Sequence, residues 1–258
     1  TQTGYAAMIS ADGKTDTTVT SNGNVYDVHT NTVSGSTGFN SFSNFDVYAG
    51  HTANLYLPDN TSNLVNLVNG KQSQIDGVLN AYKNGQIGGN VFFLNPNGII
   101  IGASGTVNVG ALTLATPTRE FMDGVIAQDR SVSSALTQAI LAGDIPLNPL
   151  GLVSVKGKIN AANGAGIFAG NVKNEGQIKT DFNTADIVNT DGADLDNTVA
   201  VKNGKIIISA AQDFTNAGVI DAKGSSVDVK TQGNVYLQDG SVITAAAKTQ
   251  NGNGGTIN

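Results

Sequence analysis

His29 and His51 are the only side chains whose ordinary pKa lies near neutrality, so general acid or base chemistry at pH 7 would begin with them. Neither stands in a Gly-x-Ser-x-Gly nucleophile elbow or a His-Glu-x-x-His zinc signature, and both read as structural residues. Carboxylates gather at Asp181, Asp186, Asp191, Asp194 and Asp196. The run Asp191-Gly-Ala-Asp194-Leu-Asp196-Asn197 carries oxygens of the kind calcium takes, but its spacing is not that of an EF-hand loop, and the expectation is an acidic loop facing solvent. Cysteine is absent, which excludes disulfides, thiolate nucleophiles and thiolate metal sites together. Enzymes that cleave acidic polysaccharides use carboxylates with a basic residue. Here the only arginines, Arg119 and Arg130, lie in one proline-containing stretch, so no enzyme, catalytic residue, metal or cofactor is expected, and a polysaccharide-degrading enzyme is kept as an alternative.

The pattern with the most local specificity is a turn. Asn95-Pro96-Asn97-Gly98 stands between the apolar runs Val91-Phe92-Phe93-Leu94 and Ile99-Ile100-Ile101. Proline at the second position presets φ, and Asn and Gly after it accept the conformations that a tight turn demands. By residue type alone it is a corner joining two strands.

The elements that must position this corner are short and repeated. Alternating strands are expected at Val107-Asn108-Val109, Val153-Ser154-Val155, Val199-Ala200-Val201, Val227-Asp228-Val229 and Val235-Tyr236-Leu237. Glycine leading into a β-branched residue marks strand starts at Gly85, Gly105, Gly157, Gly176, Gly218 and Gly240. The steps between them are 20, 52, 19, 42 and 22 residues, read as one, two or more coils of about 20 residues with one interruption. Val172 to Ile178 aligns with Phe214 to Ile220. The Val, Ile and Leu residues that no single coil can cover must be buried by stacking coils on one another. The expected fold is therefore all-β, a right-handed parallel β-helix of roughly a dozen coils and about 50–60 Å at ~4.8 Å between strands. A β-sandwich or jelly roll is the competing architecture. Corner Asn and Gly residues are expected in left-handed conformations, and stacked Asn side chains in ladders.

Residues 131–143 place Val132, Ala135, Leu136, Ala139 and Ile140 on one helical face, with Ser131 as the N-cap and Gly143 as the stop. This predicts one short helix inside an insertion spanning 117–151. Residues 1–40, polar and rich in Thr, Ser and Gly, read as an N-terminal cap, 41–116 as a core, and 152–258 as further coils of the same single domain. The ending Asn251 to Asn258 resembles a corner entering a new strand, and no initiator Met or leader opens the chain, so a trimmed N-terminal piece of a longer protein is expected.

Only 13% of the 258 residues are charged, and 14 Lys and Arg against 20 Asp and Glu leave a net charge of −6. No basic field exists to collect phosphates, so nucleic acid is not an expected partner. No apolar run approaches the ~18 residues of a membrane-spanning helix. The absence of cysteine favours an exported chain.

Four segments taken in order carry a family resemblance. Ser43-Asn44-Phe45-Asp46-Val47 looks like an early strand of the N-terminal secretion domain, or haemagglutination activity domain, of two-partner-secretion exoproteins, the filamentous-haemagglutinin-like large adhesins of Gram-negative bacteria. Asn69-Gly70-Lys71-Gln72-Ser73-Gln74-Ile75-Asp76-Gly77 resembles that family's Asn…Gly…Ser-x-Ile-x-Gly segment, and Asn95-Pro96-Asn97-Gly98-Ile99 its Asn-Pro-Asn-Gly-Ile signature. Gly102 to Leu112 is similar to its Gly-x-x-x-x-Val-Asn-Val-Gly-x-Leu continuation. Some members carry an Asn-Pro-Asn-Leu motif upstream, which has no counterpart before Asn95; Asn148-Pro149-Leu150 is downstream, lacks the second Asn and is not equated with it.

The resemblance implies a secreted passenger recognised in the periplasm by the POTRA domains of an outer-membrane β-barrel transporter of the TpsB type. Such a chain crosses extended and folds outside, at the cell surface or in the medium. It further implies that Asn95, Pro96, Asn97, Gly98 and Ile99 serve transporter recognition, either by contacting the transporter or by fixing a corner that the β-helix nucleus needs, supported by Asn69, Gly70, Ser73, Gln74, Ile75 and Gly77. A monomer and an adhesin are expected, with a cytolysin or contact-dependent toxin as alternative wholes. An alternative for the domain itself is binding of a cell-surface or biofilm glycan by aromatics drawn from Tyr5, Tyr26, Phe39, Phe42, Phe45, Tyr48 and Tyr56.

Overall fold

The computed structural model describes residues 7–180, 199–200 and 204–258. The chain winds into a β-helix with three parallel faces. One face stacks Val25–Thr30, Thr52–Tyr56, Val78–Lys83, the first half of Thr106–Ala115, the first half of Lys158–Ala169, Gln177–Lys179, Val219–Asp221 and Val242–Thr244. A second stacks Thr37–Phe45, Asn63–Val68, Asn90–Leu94, the later halves of the two long strands, Lys205–Ala210 and Val227–Thr231. The third is a six-stranded sheet of Ser73–Ile75, Ile99–Ile101, Leu152–Val155, Asn171–Asn174, Phe214–Asn216 and Val235–Leu237. The chain runs from the first face to the second, then the third, then back to the first.

The expected alignment of Val172 to Ile178 with Phe214 to Ile220 is realised as strand pairing: Val172 lies beside Phe214, and Ile178 beside Ile220. Coil count and interruptions differ from expectation. The steps of 52 and 42 residues each span a single coil, because Asn160 hydrogen-bonds Asn108 across 52 residues and Asn174 bonds Asn216 across 42. Eight rungs therefore stand on the first face among the described residues, and the stack is about 34 Å long at ~4.8 Å per rung. Parallel stacking already begins at Val25–Thr30, within the stretch read as a cap. Antiparallel pairs of Thr17–Asn22 with Val25–Thr30 and of Ile9–Ala11 with Thr37–Phe45 cover that end. Residues 199 and 200 are not a strand; Val199 is buried beneath the helical layer.

Two helices, not one, occupy the insertion: α1 (Arg119–Val125) and α2 (Ser134–Ala142). The cap of α2 is Ser133, whose hydroxyl accepts from the Leu136 N–H, while Ser131 sits in a tight turn bonded to Asp129. Gly143 ends α2 in the left-handed conformation, as expected. Helix α1 escaped the sequence reading because it is only seven residues long and contains Gly124; its cap is Thr118. Both helices cover the outer surface of the second face. The strands beneath them are buried on both sides, as in Asn90–Leu94: Val91 and Phe93 point into the coil interior, whereas Phe92 and Leu94 pack under Phe121, Met122, Ile140 and Leu141.

Two devices hold the coils in register. On the first face the carboxamides of Asn54, Asn80, Asn108 and Asn160 form a ladder with spacings of 3.1, 2.9 and 2.9 Å, ended by Asp27. Asn108→Ala removes the partner of Asn80 Oδ1 and that of Asn160 Nδ2 at a half-buried rung and is expected to cost about 1–2 kcal/mol in urea unfolding; an unchanged midpoint would show that the ladder follows register without enforcing it.

The second device is a glycine column where the chain turns from the third face to the first. Gly77, Gly105, Gly157, Gly176 and Gly218 each accept, through the carbonyl, an N–H of the next coil. None of the five adopts a left-handed φ, so the corner requires space, not the conformational freedom expected of it. A Cβ on Gly157 would stand 2.2 Å from the Gly105 carbonyl oxygen. Of the glycines picked from sequence, Gly85 instead closes an antiparallel hairpin between Val78–Lys83 and Gln86–Ile87, and Gly240 precedes its corner by one residue.

Candidate functional site

The Asn95–Gly98 turn lies at the corner between the second and third faces, where Asn90–Leu94 passes into Ile99–Ile101. Its local bonds are those expected of Asn-Pro-x-Gly: the Asn97 N–H donates to Asn95 Oδ1 at 2.9 Å, and the Gly98 N–H to the Asn95 carbonyl at 3.1 Å. Gly98 adopts φ 106°, and a Cβ there would stand 2.9 Å from the Leu152 carbonyl oxygen, so both conformation and space demand glycine.

Asn95 is wholly buried. Its Nδ2 donates to the Lys71 carbonyl at 2.9 Å and to Ser73 Oγ at 3.0 Å, in the coil below. Asn97 is exposed and donates through Nδ2 to the Gly70 carbonyl. Pro96 is buried, and its carbonyl accepts from Asn148 Nδ2 of the coil above at 2.9 Å. Ile99 is a buried rung between Ser73 and Val153.

The 69–77 segment supplies the floor. Asn69 Nδ2 donates to Asp12 and Ser41, and its carbonyl accepts from Arg119 at the start of α1 at 2.9 Å. Gly70 and Gly77 run so close to the backbone beneath them that a Cβ would strike the Ser43 and His51 carbonyl oxygens. Gln74 receives the third segment: its N–H donates to Asp46 Oδ1 at 2.9 Å, while Ile75 bridges Val47. Asp46 is buried and pairs with Lys71 Nζ at 2.7 Å, and this hydrogen-bonded carboxylate raises the Lys71 pKa above its ordinary value. Three segments picked out separately in the sequence therefore meet on three successive coils at one corner. Lys71 and Asn97 form its exposed rim.

Asn148-Pro149-Leu150, set apart in the sequence because it lacks the second Asn, forms with Gly151 an equivalent turn. The Leu150 N–H donates to Asn148 Oδ1 at 3.1 Å and the Gly151 N–H to the Asn148 carbonyl at 3.0 Å, the same turn in the next coil. The signal was present: the turn is made by Asn, Pro and Gly, and the residue in third place contributes only its backbone N–H.

The remaining candidates are dispersed. His29 stacks on Tyr56 at 4.4 Å, and His51 lies against Tyr48 and Tyr26. Among the described residues no His, Asp and Glu side chains cluster as a metal ion would need, and no helix is long and apolar enough to cross a membrane. The acidic residues from Asp181 to Asp196 and Tyr5 lie outside the described residues. Phe39, Phe42 and Phe45 are core residues and present no ring to a sugar. Tyr56 also stacks on Tyr82 at 5.4 Å, so both its faces are covered. Burial, and the Asp27 carboxylate that its hydroxyl donates to, push its phenol pKa up.

No curated protein sequence matches the chain. The filamentous hemagglutinin secretion domain is similar in structure, with a TM-score of 0.50 at 17% identity, over 97% of this chain and 99% of that one. The HMW1 secretion domain from Haemophilus influenzae gives 0.49 at 17% identity, over 95% and 81%. The family model described as TPS secretion domain matches residues 7–258. The chain belongs to that family, the secretion domains of two-partner-secretion exoproteins, which is not a family of enzymes.

Proposed function

We propose that this domain is the export signal of a large secreted adhesin, recognised in the periplasm by the POTRA domains of its TpsB-type transporter, and that it nucleates β-helix folding at the cell surface. The observation that supports this reading best is the convergence of the three motif segments on one corner, with a buried Asn95 and an exposed Asn97 in the same turn. In the folded stack Asn95 is wholly buried and braces the corner, while Asn97 and Lys71 stand exposed on its rim, placed for contact. The bonds that define the turn lie within four residues, so it forms before coils stack and is available to the transporter on an extended chain. Neighbouring coils then add one by one without distant pairing, which suits folding that follows emergence at the surface.

The test is export of residues 1–258 behind a signal peptide, in cells with and without the cognate transporter. Appearance in the medium only with the transporter is expected. Retention in both strains, with the transporter assembled, would overturn the proposal. Asn97→Ala is expected to lower export while changing urea stability by less than about 1 kcal/mol, since it removes one exposed hydrogen bond.

A further inference from the structure

We propose that Asn148–Gly151 is a second transporter-recognition turn, with Leu150 the residue it presents; this rests on the reading of Asn95–Gly98 given above. The two turns share their internal hydrogen bonds and stand at the same corner of adjacent coils, joined by Asn148 Nδ2 to the Pro96 carbonyl. The intervening insertion leaves and returns at one point. Pro117 bridges Leu147, and the Asn148 N–H donates to the Thr116 carbonyl, so the second turn is delivered to the corner despite two helices in between.

Leu150 is 88% exposed, the most exposed large apolar side chain among the described residues. Position three of each turn faces outward, Asn97 in one and Leu150 in the other. Burying an apolar side chain against a partner is favourable, and in the free domain nearly all of Leu150 is open to be covered. The rim therefore offers a polar knuckle beside an apolar one, which fits a periplasmic transporter domain with a small apolar pocket next to hydrogen-bonding groups. Because both turns are local, both are present on the chain before it folds, and two linked contacts reinforce each other.

The test compares Leu150→Asp, Leu150→Met and Asn97→Ala for export and for binding to the purified periplasmic domains of the transporter. Leu150→Asp is expected to weaken binding about tenfold, the loss for leaving one Leu uncovered, with export falling in step and the urea midpoint unchanged; Leu150→Met keeps both. The chain has no cysteine, so Leu150→Cys introduces a single thiol, expected to be shielded from maleimide when the transporter domains are added. Wild-type binding by Leu150→Asp with a freely labelled thiol would overturn the inference, and a continued defect in Asn97→Ala would show that the first turn still serves recognition. Loss of effect in both variants would instead remove the role assigned to the corner. Should Leu150→Asp lower the urea midpoint, thiol shielding decides.

Discussion

Asn95→Leu is expected to remove about 3 kcal/mol of stability and to abolish export. Leucine keeps the branched outline of asparagine, is bulkier, and supplies none of its bonds. The Lys71 carbonyl, Ser73 Oγ and the Asn97 N–H would each lose a partner at a corner where Asn95 and Ser73 are fully buried. Each buried polar group left unpaired costs about 1–3 kcal/mol, and the total stays near the low end because the Lys71 carbonyl can recruit water. Urea unfolding of the purified domain gives the stability change, and the export assay gives the functional one. The comparison with Asn97→Ala is decisive: the buried Asn should lose fold and export together, the exposed Asn export alone. A stable, export-defective Asn95→Leu would assign the buried side chain to recognition of the unfolded chain and displace its role as corner brace.

Gly157→Val is expected to cost about 3 kcal/mol, the upper part of the range for overpacking a tight site. The obstructing atoms are not movable side-chain ends. The new Cβ would meet the Gly105 and Gly102 carbonyl oxygens at 2.2 and 2.4 Å, and both belong to the backbone of the coil below. Relief requires the coils to part, which breaks the 2.9 Å bond from the Lys158 N–H to the Gly105 carbonyl. Gly240→Ala is the control: nothing lies within 4 Å of its Cβ, and φ +79° alone opposes the substitution, at about 1–2 kcal/mol. Equal urea midpoints for the two variants would mean that the column is not a point of close approach.

Much of this molecule was legible in residue order. The strand at Val153-Ser154-Val155, the stop at Gly143 and the alignment of Val172 to Ile178 with Phe214 to Ile220 all rest on residue types that act within one coil or on its neighbour. The errors share one cause. Gly85 and Gly105 look alike in sequence, yet one turns a hairpin with φ +77° and the other is squeezed between coils. Ser131 and Ser133 are both capable caps, and packing of Ile140 and Leu141 onto the second face sets the start of α2. The 52-residue step was ambiguous because a long excursion and two short coils leave the same trace in spacing.

The sequence by itself determined a stacked β-helix, a tight turn at Asn95–Gly98 and membership signals for a secretion domain, since periodicity, turn chemistry and motif order are local properties. Only the tertiary structure decided which asparagine of that turn is buried and which is exposed. It alone brought Asp46, Lys71 and Asn97 to one corner and placed a second turn at Asn148–Gly151 beside the first. Those outcomes depend on register between residues 22 to 52 positions apart. In a solenoid that register is set by how neighbouring coils bury their apolar faces together, a property of the stack that no single coil carries.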